Sequence, residues 1–185
     1  MDFTLTQEQL MAQKMVKDFS EKEVLPVIKD ADRNSEPIPW VLKRMGELGI
    51  LGICYPVRYG GQGMDFITLG LACEELEAVD THLRVAMSVH TGLCSMTLFQ
   101  WGTEEQKEKF LRPLASGEKL GCGAFTESGC GSDVSAVQTS AKRDGDDYLL
   151  NGEKMWISLA TKADYDRSFS LSKKPPSLSR GAGNP

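Results

Sequence analysis

Apolar residues recur at Leu10, Met11, Met15, Val16 and Phe19, the three-and-four spacing of one helical face. They follow Thr6-Gln7-Glu8-Gln9, which has the S/T-x-x-E/Q form of a capping box, so a helix is expected to start here. Pro26 lacks a backbone N–H and crowds the preceding turn, and it should kink or restart that helix. The run DRNSEPIP over residues 32–39 is turn chemistry, leading into a short helix with Pro39 near its start and Gly49 just past its end. GICYPVRYGGQGMD reads as loop, with Asp65 placed to cap a helix carrying Leu69, Leu71, Ala72, Leu76 and Val79. A further helix from Thr81 carries Val85, Val89, Leu93 and Met96 and stops at Gly102, after which Thr103-Glu104-Glu105-Gln106 repeats the capping-box form.

Past Gly117 the spacing changes. LGCGAFT reads as a strand, VQTSAKRD alternates, Asp144-Gly145 is a turn and DYLL is a strand. Asn151-Gly152 signals a two-residue hairpin, with EKMWISLA as the strand after it. Helices first and antiparallel strands afterwards predict an α+β fold class. An all-helical bundle over residues 1–117 should precede a partial antiparallel β-domain over 118–160.

Composition narrows the function classes. The 185 residues are 41% hydrophobic, enough for a real core. A net charge of −5 without any Lys/Arg block disfavours a nucleic-acid or membrane-surface partner. No apolar run approaches the roughly 20 residues that cross a bilayer. The first ten residues hold two acids and no base, unlike a secretory or transit leader, and a cytoplasmic location is expected. Five cysteines, odd in number and without C-x-x-C, suggest neither a disulfide framework nor a zinc knuckle. His82 and His90 read as ordinary helix residues, and no metal site is expected.

The chemistry concentrates in AFTESGCGSDVSA, residues 124–136, a loop-like stretch of small, hydroxyl and carboxyl residues. The glycine pairs Gly121/Gly123 and Gly129/Gly131 do not open a helix inside a βαβ unit, which disfavours a Rossmann site. The absence of any Gly-Lys dipeptide removes a Walker A loop. One reading is a loop whose amides and hydroxyls (Thr126, Ser132) face an anionic or heteroaromatic ligand, the glycines permitting close approach. The other is a polar turn with no ligand. Trp156 and Ser158 lie on one strand face by period two, so ring and hydroxyl together suit a flat polar ligand such as a flavin, although burial in a core is the commoner fate of a Trp.

The motifs YGGQG, EELEAVD, SVHTGLC, WGTEEQKEKFLRPLASGE, AFTESGCGSD and NGEKMWIS, in this order, resemble the acyl-CoA dehydrogenases over roughly residues 1–160. The resemblance implies FAD as cofactor and α,β-dehydrogenation of an acyl-CoA thioester. It implies that Gly123, Ala124, Phe125, Thr126, Gly131 and Ser132 line the flavin, with Ser132 shared with the thioester. Trp156 and Ile157 are then expected against the ring, and Ser158 within reach of flavin N5. An electron-transfer flavoprotein is the implied electron acceptor, and family members form homo-oligomers.

Departures from the family pattern shape the remaining expectations. Ser128 stands where the family usually has proline, which relaxes the turn and weakens FAD binding by up to about 1 kcal/mol through unfolded-state entropy. Cys130 replaces Ala or Ser. The last 25 residues hold five serines, three prolines and five Lys/Arg against two acids, and 161–185 are expected to be a divergent, disordered tail. The family's catalytic glutamate lies in a C-terminal part not matched here, so no residue is assigned as base and no turnover is expected. Arg84 and Ser88 resemble the pair that receives the far carboxylate in glutaryl-CoA dehydrogenases, and helical spacing puts them on one face. A plain surface arginine is the commoner reading, with a short-chain acyl-CoA as the main substrate expectation and a carboxylated one as the minority. The alternative to an enzyme is a non-catalytic binding or oligomerisation fragment derived from the same family.

Overall fold

The computed structural model describes residues 3–34, 38–168 and 170–172. The chain divides into two units, Met1–Gly123 with Ser158–Arg167, and Ala124–Ile157 with Ser168–Pro185.

Helices α1 (Gln7–Phe19), α2 (Leu25–Asn34), α3 (Trp40–Glu47), α4 (Phe66–Glu77), α5 (Thr81–Met87), α6 (Met96–Trp101), α7 (Glu104–Gln106) and α8 (Arg112–Ala115) build the first unit. Both capping boxes form, with Thr6 and Thr103 accepting the backbone N–H of Gln9 and Gln106 and each glutamine returning the bond. Asp65 caps α4 by accepting Thr68 N–H at 2.8 Å. The segments Ser20–Val24, Ser88–Ser95 and Lys107–Leu111 widen into π-helix. The first of these lets α2 restart at Leu25, one residue before the proline that cannot donate into the preceding turn.

The inward stripe of α1 is Gln9, Ala12, Val16 and Phe19, while Leu10 and Met11 are 43% and 71% exposed. The apolar spacing placed Leu10 and Met11 inside. The stripe is rotated because Gln9 is used as a tie: its amide donates to Asp65 at 2.8 Å, joining the two helix caps. Val16, Phe19, Met45, Ile50, Leu51, Leu76 and Met87 fill the core, each 2% exposed or less.

The wide turn Ser88–Ser95 points polar groups inward. Thr91 hydroxyl donates to Leu51 carbonyl at 2.8 Å, and Tyr55 hydroxyl donates to Thr91 carbonyl. His90 is wholly buried. Its Nδ1 accepts Gly121 N–H at 3.1 Å and its Nε2 lies 3.0 Å from Leu114 carbonyl. Because Nδ1 accepts, the proton sits on Nε2, and the neutral ring clamps the start of the first strand to the end of α8. Gly121 packs so tightly there that a Cβ would lie 2.4 Å from Cys94 Sγ.

Strand β1 (Gly121–Ala124) pairs with β4 (Tyr165–Ser168). The sequence placed a disordered tail from residue 161, yet β4 forms, for local reasons. Asp164 carboxylate accepts Leu120 N–H at 2.9 Å and Lys119 at 3.0 Å, and Tyr165 meets Phe110 edge-on at 5.5 Å. The remainder of that tail, 173–185, lies outside the described residues.

In the second unit β2 (Ser140–Asp144) and β3 (Asp147–Asn151) form an antiparallel hairpin, and β5 (Leu171–Ser172) joins β2 in parallel. The expected strand over EKMWISLA does not form. Gly152, at φ 154°, leaves β3 so close to β2 that a Cβ would lie 2.4 Å from Thr139 Oγ1. The chain therefore crosses the root of β2 instead of folding back along β3.

Candidate functional site

The loop after β1 is built around a carboxylate. Glu127 and Cys130 exchange both backbone hydrogen bonds, 3.0 and 3.2 Å, closing a tight turn over Ser128 and Gly129. Glu127, 7% exposed, accepts Gln138 N–H at 2.7 Å, Thr139 N–H at 3.0 Å and Lys154 Nζ at 2.8 Å. Lys154 first, then hydrogen bonds from Thr139 and Gln138, hold its carboxyl down to about 2. Lys154 also donates to Phe125 carbonyl at 3.0 Å, and Met155 N–H donates to Thr126 carbonyl at 2.9 Å. The segment 154–156 thus runs beside 125–127.

With all of these bonds directed at the loop's own backbone and at Lys154, Glu127 is a structural carboxylate. Lys154 was not singled out. Alone, 27 positions from its partner, it looks like a solvated charge. Ser128, standing in for proline, donates to Glu153 at 2.7 Å, a bond that proline lacks.

The other expected site residues fall as follows. Gly123 is half-buried and Ala124 buried in β1, while Phe125 and Thr126 are half-buried. Gly131 and Ser132 are exposed, and Ser132 carbonyl accepts Val134 N–H at 3.2 Å. A Cβ at Gly129 or Gly131 would meet nothing within 4 Å, and neither has positive φ, so the protein's own packing does not require glycine there. Trp156 is 86% exposed with φ 59°. Because the segment is not a strand, the shared face assigned to Trp156 and Ser158 is absent. Ile157 is half-buried, and Ser158 is exposed and belongs to the first unit. A bulky residue held in the left-handed region with its ring in solvent is a costly arrangement of the kind that accumulates at binding sites.

Arg84 and Ser88 are not left free in α5 and the turn after it. Arg84 donates to Glu77 at 2.7 Å, and Ser88 hydroxyl bonds back to Val85 carbonyl at 3.0 Å. Arg84 and a Thr81 hydrogen bond lower the Glu77 pKa. Among the described residues no cluster of three His, Cys, Asp or Glu could hold a metal, and no helix is long and apolar enough to cross a membrane.

The pattern of the acyl-CoA dehydrogenase N-terminal domain matches residues 6–118, and that of the middle domain matches residues 122–176. A short-chain-specific acyl-CoA dehydrogenase of Clostridium acetobutylicum is 40% identical over 174 residues, covering 94% of this chain and 46% of that protein. The structure of butyryl-CoA dehydrogenase from Megasphaera elsdenii superposes with a TM-score of 0.90 at 37% identity, covering 94% of this chain and 46% of its own. A glutaryl-CoA dehydrogenase of Mycobacterium smegmatis, solved in complex with FADH2, gives 0.86 at 34% identity, covering 91% and 44%. The chain spans less than half the length of these relatives.

Proposed function

This chain belongs to the acyl-CoA dehydrogenase family, and we propose that its loop over residues 124–132, with Trp156 and Ile157, forms one wall of an FAD site serving α,β-dehydrogenation of a short-chain acyl-CoA. The observation that carries this reading is the pairing of a pinned loop with an unpinned rim. Phe125, Thr126 and Glu127 are fixed by Lys154 and Met155, while Gly129, Gly131, Ser132 and the Trp156 indole are exposed. Glycines with open space where a Cβ would project, beside a solvent-facing indole, fit the flat edge and face of an isoalloxazine.

Bound there, FAD supplies the acceptor for the hydride leaving the substrate β-carbon. The chain's own residues hold and orient. Thr126 and Ser132 offer hydroxyls to the ring and the thioester, and Trp156 covers a ring face and sheds water from it. Glu127, the carboxylate beside the loop, is not the base: at a pKa of about 2, with both oxygens engaged, it is a poor proton acceptor. No base is assigned among the described residues. The helical part over 1–117 and the β part from 118 are read as the family's first two domains. An electron-transfer flavoprotein partner and a homo-oligomeric state are proposed from family membership.

Adding FAD to the purified chain tests this reading. Protein-bound yellow colour on gel filtration is expected, and Trp156→Ala should reduce it. A colourless, monodisperse wild type would instead favour the non-catalytic fragment. A carboxylated substrate is the second reading, favoured by likeness to a glutaryl-CoA dehydrogenase and by Arg84 on α5. It requires Arg84 to exchange Glu77 for the substrate carboxylate. Calorimetric binding of butyryl-CoA and glutaryl-CoA decides it: unchanged relative affinity in Arg84→Ala removes the carboxylated option.

A further inference from the structure

Three stretches of the second unit converge on one ion pair. Lys154 and Glu127, with side chains 12% and 7% exposed, meet at 2.8 Å. Lys154 also holds the entry of the loop through Phe125 carbonyl, and Glu127 holds its exit through the N–H groups of Gln138 and Thr139. The turn between is closed by Glu127 and Cys130. Lys154 stands two residues before Trp156, and the bond from Met155 N–H to Thr126 carbonyl locks that segment to the loop. Neither charged group belongs to the exposed rim.

We propose that Lys154 and Glu127 are positioning residues for the isoalloxazine: without touching it, they set the loop over 125–132 and the Trp156 segment in register before the flavin arrives. This rests on the flavin reading above. The physical reason is preorganisation. A loop already held at entry, turn and exit loses little freedom on binding, so its rim groups act with their full affinity. A buried ammonium and carboxylate also enforce one geometry, because displacing either leaves the other unpaired in a poorly solvated place. Lys154 can serve both Phe125 carbonyl and Glu127 at once since an ammonium carries three donors, and arginine can reproduce this with its fork.

The test uses the 185-residue chain as wild type, Lys154→Met and Lys154→Arg, read by FAD titration through flavin fluorescence and by residue-resolved amide exchange without FAD. Lys154→Met is expected to weaken FAD binding about tenfold or more and to speed exchange at Gln138, Thr139 and Met155 by a similar factor, with the helix α4 amides unchanged. Lys154→Arg should stay within about threefold of wild type in both readouts. Wild type that binds FAD while Lys154→Met binds it equally well overturns the positioning role and leaves the flavin reading standing. Weakened binding with unchanged exchange at those three amides overturns it too, since Lys154 would then act by direct contact. Wild type that takes up no FAD removes the flavin reading, and the proposal with it. Should Lys154→Met fail to fold, Glu127→Gln decides by the same two readouts: it removes the charge and keeps one oxygen as acceptor.

Discussion

The helical unit and the β unit are held by different physics. In the first, large side chains such as Tyr55, Met45, Leu51 and Leu76 are fully buried, and the buried polar side chains are neutral, Thr91 and His90 among them bonding to backbone. In the second, the buried residues are small or polar, among them Ala124, Cys130, Val137, Glu127 and Thr139. Tyr148, Leu149, Leu150 and Trp156 face solvent there, each more than half exposed. Apolar burial therefore maintains the helices, while a charge pair and directed hydrogen bonds maintain the loop.

The contrast can be broken from either side. The largest expected effect is Leu76→Ala, which should cost about 3 kcal/mol in urea unfolding followed by far-UV circular dichroism. A comparable loss there from an exposed β3 position such as Leu149→Ala would erase the distinction between the units. Acid should separate them next. Burial lowers the His90 pKa from 6.5 to about 4, partly opposed by its bond to Leu114. The unfolded chain takes up this proton first, so stability is full above pH 6.5 and falls by about 3 kcal/mol as pH drops towards 4. Glu127 also loses its contribution in acid, but in a lower range. Its pKa is depressed from 4.5 to about 2, so its contribution is full above pH 4.5 and disappears as pH falls through about 2. Residue-resolved amide exchange should thus show Gly121 loosening before Gln138 and Thr139. The reverse order would contradict the assignment of the two clamps. The smallest expected effect is Thr6→Ala, about 1 kcal/mol from loss of the α1 cap, seen as a lowered melting temperature.

Much of the helical unit was legible because its signals are local. Thr6, Asp65 and Thr103 each cap the helix that follows them, and Gly49 and Gly102 end helices where spacing placed them. The rotation of α1 was not legible, since Gln9 is buried for a partner 56 positions away. Asn151-Gly152 misled for a similar reason. As a dipeptide it favours a hairpin, but the approach of Gly152 to Thr139 decides the path, and no local pattern encodes that approach. At the site, the loop around residues 124–136 was visible in composition. The ion pair that shapes it was not, because Glu127 and Lys154 are 27 positions apart and each alone looks like a solvated charge.

The seam where Gly121 lies against Cys94 has a consequence for survival under oxidative stress. With Gly121 backbone packed against one side of the sulfur, an added sulfenic oxygen on that side would have to prise the strand away. Peroxide should therefore reach the partly open thiols Cys54 and Cys73, slowed as they are by burial that raises their pKa, before it reaches Cys94.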